Sequence, residues 1–430
     1  MNDIVRRADT AEAYQDWQIA VDLPDRDIAL ANLLELDPDE EKPCATLGDS
    51  EPRLDLGLIE LLDVKRTADK IREKYGADRP AREPDSPDVV TVIEGLRHHI
   101  AKKQSGWEIR MGLNRHTETI GGLPHIGTGG WYYPTTVNSI SEFPPDTVSE
   151  GRDVRVGVID SVVFPNKRLV DRFYVLESSS ILQPADHYSW LNGHSAFVAG
   201  LILQRAPAAK LEIRGVLDGR DSTATVWEVA KAMARFLAVG VGVLNLSIGC
   251  YTADGKAPFV LERAVDVLNR QGIVMVAAAG NHGASGATTG IKANSPIFPA
   301  ACPGATAVGA LEVRGGQFYR APFTPDVQWL NLVAPGMDVV STYLQGKVQF
   351  HELPGIPLPL PADADFPGIA KWSGTSFAAA TVTGEIARII ATGKTPRQAL
   401  DELVAQDPQE HEGVGKYLPD MAVLQPHEQQ

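Results

Sequence analysis

Apolar positions along the chain fall into two textures. In the first, LDLGLIELLDVKRTADKIREKYG (54–76) places its apolar side chains at helical spacing with basic residues near the end, which predicts a helix. VVTVIEGLRHHIAKKQ (89–104) reads as a second amphipathic helix, followed by a strand at WEIRMGL (107–113). Between them lies a polar, proline-rich linker, ADRPAREPDSPD (77–88). Residues 1–85 are therefore expected to form an acidic, mostly helical N-terminal extension. Residues 86–150 are expected to be a helix and strand leading into a connecting segment rich in Gly, Pro and aromatics. That segment, with TIGGLPHIGTGGWYYPTTV (119–137) inside it, should be extended chain lying over another surface.

From about residue 152 short, nearly continuous apolar runs alternate with amphipathic stretches. DVRVGVID (153–160), VGVLNLS (241–247), IVMVAAAG (273–280) and TAVGALE (306–312) predict strands. HSAFVAGLILQ (194–204), TATVWEVAKAMARFLAVG (223–240), PFVLERAVDVLNRQG (258–272) and the stretch from Ser376 to about residue 391 predict helices. Strands apolar on both faces, alternating with helices, imply an α/β fold with a mainly parallel sheet covered on both sides. This domain is expected over 151–395, with 396–430 as a C-terminal tail. HELPGIPLPLPADADFPG (351–368) has five prolines and is expected to be a semi-rigid loop.

Composition narrows the class of partner. The chain has 430 residues and a net charge of −15, and no long basic run, which argues against nucleic acid. No stretch of about 18 uncharged apolar residues occurs, so no membrane span is expected. The N-terminus lacks the apolar core of a secretory signal, and the three cysteines, at 44, 250 and 302, are odd in number and widely spaced. An intracellular, cytoplasmic protein without a disulfide framework is expected.

Candidate chemistry sits where the strands end. In such sheets ligands bind beyond the carboxyl ends of the strands. Asp160 ends the first strand, His194 opens the next helix, Asn281 follows AAAG, and Ser376 opens the late helix in KWSGTSFAAA. Taken singly each has a plain role: turn residue, surface imidazole, turn amide, helix cap. Together they supply a hydroxyl nucleophile, an imidazole base, a carboxylate to orient the base and an amide donor for an oxyanion.

These motifs resemble those of the subtilases, the subtilisin-like serine peptidases. VGVIDS (156–161) resembles the family's Asp motif, GHSAFVAG (193–200) its His motif, and LNLSIG (244–249) its substrate-binding strand. AAAGNHG (277–283) resembles the oxyanion motif, FPAACPGATAVGA (298–310) the segment after it, and GTSFAAATVTG (374–384) the nucleophile motif. The match runs over roughly 150–395, not over 1–115. Departures are Val162 where the family has Gly, Ser195-Ala196 where it has Gly-Thr, and Ala380 where Pro is frequent.

The resemblance implies a subtilisin-like fold and a serine endopeptidase acting through an acyl-enzyme, which the N-terminus and cysteine usage would place inside the cell. Asp160, His194 and Ser376 would be the triad, with Asn281 and the Ser376 N–H as oxyanion donors. It implies a pocket for the residue before the scissile bond, walled by Leu246, Ser247, Ile248 and Gly249 and by Ala278, Ala279 and Gly280, with Ile297 at its floor. Small or medium apolar residues would be preferred there over Phe, Lys or Arg. No cofactor is implied. Calcium sites are common in the family, but no ligand set matches here, and no metal site is assigned. The expected partner is a peptide or protein substrate, such as a dedicated precursor, and the N-terminal extension could hold a further partner protein or be released by self-cleavage between 115 and 150. The alternative is a catalytically silent subtilase-like binding or regulatory module. An α/β-hydrolase esterase fits less well, because G-x-S-x-G is missing and the chain order Asp-His-Ser differs.

Overall fold

The computed structural model describes residues 4–6, 12–38, 41–75, 86–119, 133–140, 148–175, 177–217, 222–283, 291–351 and 360–406. The N-terminal unit is built on strands β1 (Ala13–Asp22), β2 (Ala45–Glu51), β3 (Leu56–Leu61) and β4 (Met111–Thr119). They pair antiparallel in the order β4-β1-β3-β2. Helices α1 (Arg26–Leu36), α2 (Val64–Tyr75) and α3 (Asp88–Lys103) pack with this sheet around Ile19, Leu33, Ile59, Ile71, Val92 and Leu96.

The helices foreseen for this region are present, but the first half of 54–76 is strand β3 rather than helix. The reason is burial on both faces. Leu56 and Leu58 face the large domain, and Ile59 and Leu61 face the unit's own helices. A strand buried on both sides is apolar almost throughout, so its spacing also fits a helix. The division at residue 85 is corrected too. Helix α3 and strand β4 complete the same sheet, so the unit continues to residue 119, and the strand foreseen at 107–113 runs instead over 111–119.

The large domain contains β5 (Arg155–Ser161), β6 (Lys210–Leu217), β7 (Thr223–Thr225), β8 (Val243–Leu246), β9 (Ile248–Tyr251), β10 (Val274–Ala278), β11 (Ile297–Phe298), β12 (Ala305–Arg314), β13 (Leu332–Pro335), β14 (Val339–Gln349) and β15 (Ala364–Trp372). Its central sheet is parallel in the order β6-β5-β8-β10-β12, with β13 also parallel to β12. Alternate side chains enter two cores. Val156, Val158, Val243 and Val276 meet α4 (His194–Arg205) and α7 (Thr375–Ile390). Ile159, Leu244, Met275 and Ala277 meet α5 (Val226–Phe236) and α6 (Phe259–Arg270). This is the α/β sheet covered on both faces that the sequence predicts.

Two boundaries move. Helix α8 (Pro396–Gln406) buries Ala399, Leu400 and Leu403 in the core around α7, so the domain runs past 395. Strand β15 pairs antiparallel with β14, so residues 364–368 of the foreseen loop are strand, while 352–359 lie outside the described residues. Thr135–Thr136 adds to the edge of β15, in keeping with extended chain lying over another surface.

The two domains share one apolar interface. Ala20, Leu54, Leu56 and Leu58 belong to the core formed by α5 and α6. Around it Arg110 pairs with Glu262 at 3.0 Å, Arg263 pairs with Asp22, and Asn114 accepts the Trp227 N–H at 3.2 Å. Strand β4 then pairs with both β7 and β9.

Close approach sets the geometry just before α4. A Cβ on Gly193 would stand 2.1 Å from the Tyr343 ring, which itself is fully buried. Gly193→Ala is expected to cost about 1–3 kcal/mol through overpacking. Urea unfolding of the variant beside the wild type measures this; an unchanged midpoint would mean that the ring yields freely.

Candidate active site

The site lies where β5, β8 and β10 end. Strand β5 pairs with β6 on one side and β8 on the other, so the order of the sheet reverses around it. Such a switch point leaves a crevice beyond the strand ends. Asp160, the penultimate residue of β5, points there and is fully buried. Its Oδ1 accepts the Ser161 N–H at 2.7 Å.

His194 is delivered by local structure. Ser189 caps the turn Trp190–Gly193 with a capping box, in which Leu191 N–H donates to Ser189 Oγ at 3.4 Å and Ser189 N–H to Asn192 Oδ1 at 3.0 Å. That turn runs directly into α4, whose first residue is His194. Its Nδ1 lies 2.8 Å and 3.0 Å from the two Asp160 oxygens. A carboxylate only accepts, so Nδ1 carries the proton, and in the neutral ring Nε2 is the basic atom. Nε2 is buried and has no hydrogen-bond partner among the described residues. Two aromatic rings set the imidazole plane: Trp372 edge-on at 5.6 Å and 88°, and Phe377 tilted at 5.5 Å and 39°.

Asn281 and Ser376 are joined through Thr375. The Thr375 hydroxyl accepts the Gly280 N–H at 3.1 Å and donates to Asn281 Oδ1 at 3.0 Å, and the Thr375 N–H donates to the same oxygen at 2.9 Å. With Oδ1 so engaged, the amide nitrogen is the end turned toward Gly374, where a Cβ would stand 3.5 Å from it. One hydroxyl thus ties the end of β10 to the first turn of α7, next to Ser376. Ser247 Oγ donates to the Ser376 carbonyl at 3.2 Å and accepts from Asn245 Nδ2 at 2.9 Å.

The remaining sequence candidates lie on neighbouring elements of the same domain. Leu246 ends β8, Ser247 follows it, and Ile248 and Gly249 begin β9; Ala278 ends β10, and Ala279 and Gly280 follow it. Ile297 in β11 pairs with Tyr251 of β9 and approaches Gly280. Each of these residues is buried, as are Asp160, His194, Asn281 and Ser376. Across the edge of β9, Thr119 pairs with Ile248 and Glu118 with Gly249, so a strand of the N-terminal unit lies against the backbone of that segment.

Sequence reading missed Thr375, Trp372, Phe377 and His282. Thr375 had a usable signal, a hydroxyl at a helix start. The aromatic contacts had none, because Trp372 belongs to a strand whose side-chain direction depends on its pairing with β14. His282 is fully buried, and burial pushes its proton affinity below the ordinary value against the opposing bond to the Ser295 carbonyl. The three cysteines are unpaired and buried, and burial pushes the Cys250 and Cys302 thiols up to about 12, which leaves them unreactive. Among the described residues no group of three or more His, Cys, Asp or Glu could hold a metal ion, and no helix is long and apolar enough to cross a membrane.

The model of the subtilase family matches residues 151–406. The chain is 30% identical over 226 residues to a thermophilic serine proteinase of Bacillus sp. (strain AK1), covering 49% of this chain and 47% of that one. It is 35% identical over 161 residues to subtilisin BL of Lederbergia lenta, covering 35% and 54%. The chain thus spans about half the length of these curated relatives. The structure of fervidolysin from Fervidobacterium pennivorans, a keratinolytic enzyme related to subtilisin, superposes with a TM-score of 0.63 at 20% identity, covering 99% of this chain and 63% of that one. At that identity the likeness concerns the fold, and its coverage takes in the N-terminal unit.

His282 makes acid stability testable. Its folded proton affinity lies below the unfolded one, so its contribution is present above about pH 6.5 and is lost as pH falls toward the folded value. Melting temperature should therefore fall less steeply between about pH 6.5 and 5 in His282→Leu than in wild type. Parallel slopes would mean that the ring takes up protons equally in both states.

Proposed function

The chain belongs to the subtilase family, and on that ground we propose that it is a serine endopeptidase. The observation that carries this reading is the Asp160–His194 pair, at 2.8 Å and 3.0 Å, beside an α7 start at which Thr375 holds Asn281 next to Ser376. In the proposed reaction Ser376 Oγ attacks the scissile carbonyl and His194 Nε2 takes its proton. Asp160 keeps the imidazole in the Nδ1–H tautomer and stabilises its protonated form. The Ser376 N–H and the Asn281 amide receive the oxyanion, aided by the N-terminus of α7. His194 then passes its proton to the leaving amine, and water releases the acyl group by the same steps.

The substrate is proposed to be a dedicated peptide precursor or partner protein, met inside the cell. The unpaired thiols suit a reducing compartment. In the full chain the N-terminal unit acts on the same site. An extended substrate binds such an edge by adding a strand, and β4 already pairs there with Ile248 and Gly249. The full chain is thus read as a closed form, opened by self-cleavage between 115 and 150 or by undocking of the unit. Residues 120–132 and 141–147 of that interval lie outside the described residues. Enclosure of Asp160, His194 and Ser376 at 0% exposure also favours a second reading, a catalytically silent binding or regulatory module.

Labelling of Ser376 by a serine-directed probe separates the two readings. A folded chain that never labels, before or after loss of the N-terminal unit, is the silent module.

Ser376→Ala and His194→Ala should each abolish nearly all peptide hydrolysis. The double variant should be little worse than either, since such groups act as a unit. Multiplying losses would separate the two residues mechanistically.

Intact-mass measurement tests the closed form. Wild type should lose its N-terminal unit on incubation while Ser376→Ala stays whole. A whole chain in both identifies the unit as a permanent accessory domain, and the opening step as undocking.

A further inference from the structure

His282 follows Asn281, and the proposed mechanism does not use it. Its side chain is fully buried. Nε2 lies 2.8 Å from the Ser295 carbonyl oxygen. A carbonyl only accepts, so Nε2 carries the proton and Nδ1 is a bare acceptor. That Nδ1 is buried and has no hydrogen-bond partner among the described residues. An unpaired buried acceptor is costly, and those that persist call for an explanation in function or bound water.

Its position indicates which. A Cβ on Gly280 would stand 2.7 Å from Nδ1 and 3.2 Å from Ile297 Cγ1. The resemblance to the subtilases assigns Gly280 to one wall of the pocket and Ile297 to its floor. The acceptor therefore stands in the corner where wall and floor meet. Gly280 has φ +96° and no side chain to cover it.

We propose that His282 Nδ1 is a specificity-determining acceptor that selects, directly before the scissile bond, a short side chain carrying a hydrogen-bond donor: threonine first, then serine. The inference rests on the peptidase reading of Ser376. Ile297 limits the depth of the pocket, which excludes long side chains. Valine has the shape of threonine but leaves Nδ1 unpaired. A site built to bond a hydroxyl discriminates against the isostere that lacks it far more sharply than an apolar pocket discriminates by one methyl group. Burial keeps the ring neutral, so the acceptor is maintained at neutral pH. The apolar preference implied by Ile297 is thereby narrowed to side chains of that size with a hydroxyl.

The test uses the purified full chain, incubated until its mass no longer changes, and two peptides identical except for Thr or Val before the scissile bond. In wild type kcat/KM should favour Thr by about five- to tenfold, and a Ser/Ala pair should show the same sense. In His282→Leu the Thr/Val ratio should fall to about one whatever the absolute rates. A wild-type ratio of one or less overturns the proposal, and so does a high ratio that survives His282→Leu. If that variant does not fold, the two wild-type ratios decide. Labelling of Ser376 without cleavage of either peptide overturns the pocket assignment and leaves the nucleophile standing. Neither labelling nor cleavage overturns both.

Discussion

The Asp160 carboxylate has no exposure to water, and the rest of the site is arranged around that fact. A buried charge is tolerated only when its oxygens are bonded. Here the Ser161 N–H and the His194 Nδ1–H supply the bonds, and both depend on where β5 ends and α4 begins. The imidazole has little freedom left. One edge is held by the carboxylate, and the ring plane is set by Trp372 and Phe377. What remains is a single basic nitrogen, Nε2, oriented by groups that do not themselves react.

A second hinge of the structure is the Thr375 hydroxyl. It accepts from Gly280 and donates to Asn281, so the Gly280 backbone, the Asn281 amide and the start of α7 share one small group. This coupling makes the arrangement more exacting than the Asp160–His194 pair alone. Moving β10 against α7 would disturb Gly280, the Asn281 amide and Ser376 together. The Asn245–Ser247 pair does the same at the end of β8, reaching the Ser376 carbonyl through Ser247 and Thr383 through Asn245.

The N-terminal unit adds a different constraint. Its sheet contributes Leu54, Leu56 and Leu58 to the core over α5 and α6, and its last strand reaches the edge of β9. Apolar burial holds the unit in place without regard to direction, whereas strand pairing sets its register. Together they put the end of β4 beside the backbone that a substrate would use. Occupation of that edge is a consequence of this docking.

Much of this was legible in the chain itself. Runs such as VGVID and VMVAAA can bury on both faces only as central strands, and the helices between them are amphipathic, so the α/β sheet follows from hydrophobic pattern alone. Asp160, His194, Asn281 and Ser376 were legible because each stands at a strand or helix end, and those ends converge in such a fold. Strand β3 was not legible as a strand. Its second face is buried by the large domain, a partner distant in sequence, and that contact removed the alternation that would have marked it. The continuity of 86–119 with the N-terminal sheet, the ring contacts on His194, the Thr375 bridge and the unpaired His282 nitrogen likewise depend on residues tens to hundreds of positions apart. Periodicity and motif report what a residue's near neighbours require of it. Which buried polar atom finds a partner, and which does not, is decided only when the distant segments meet.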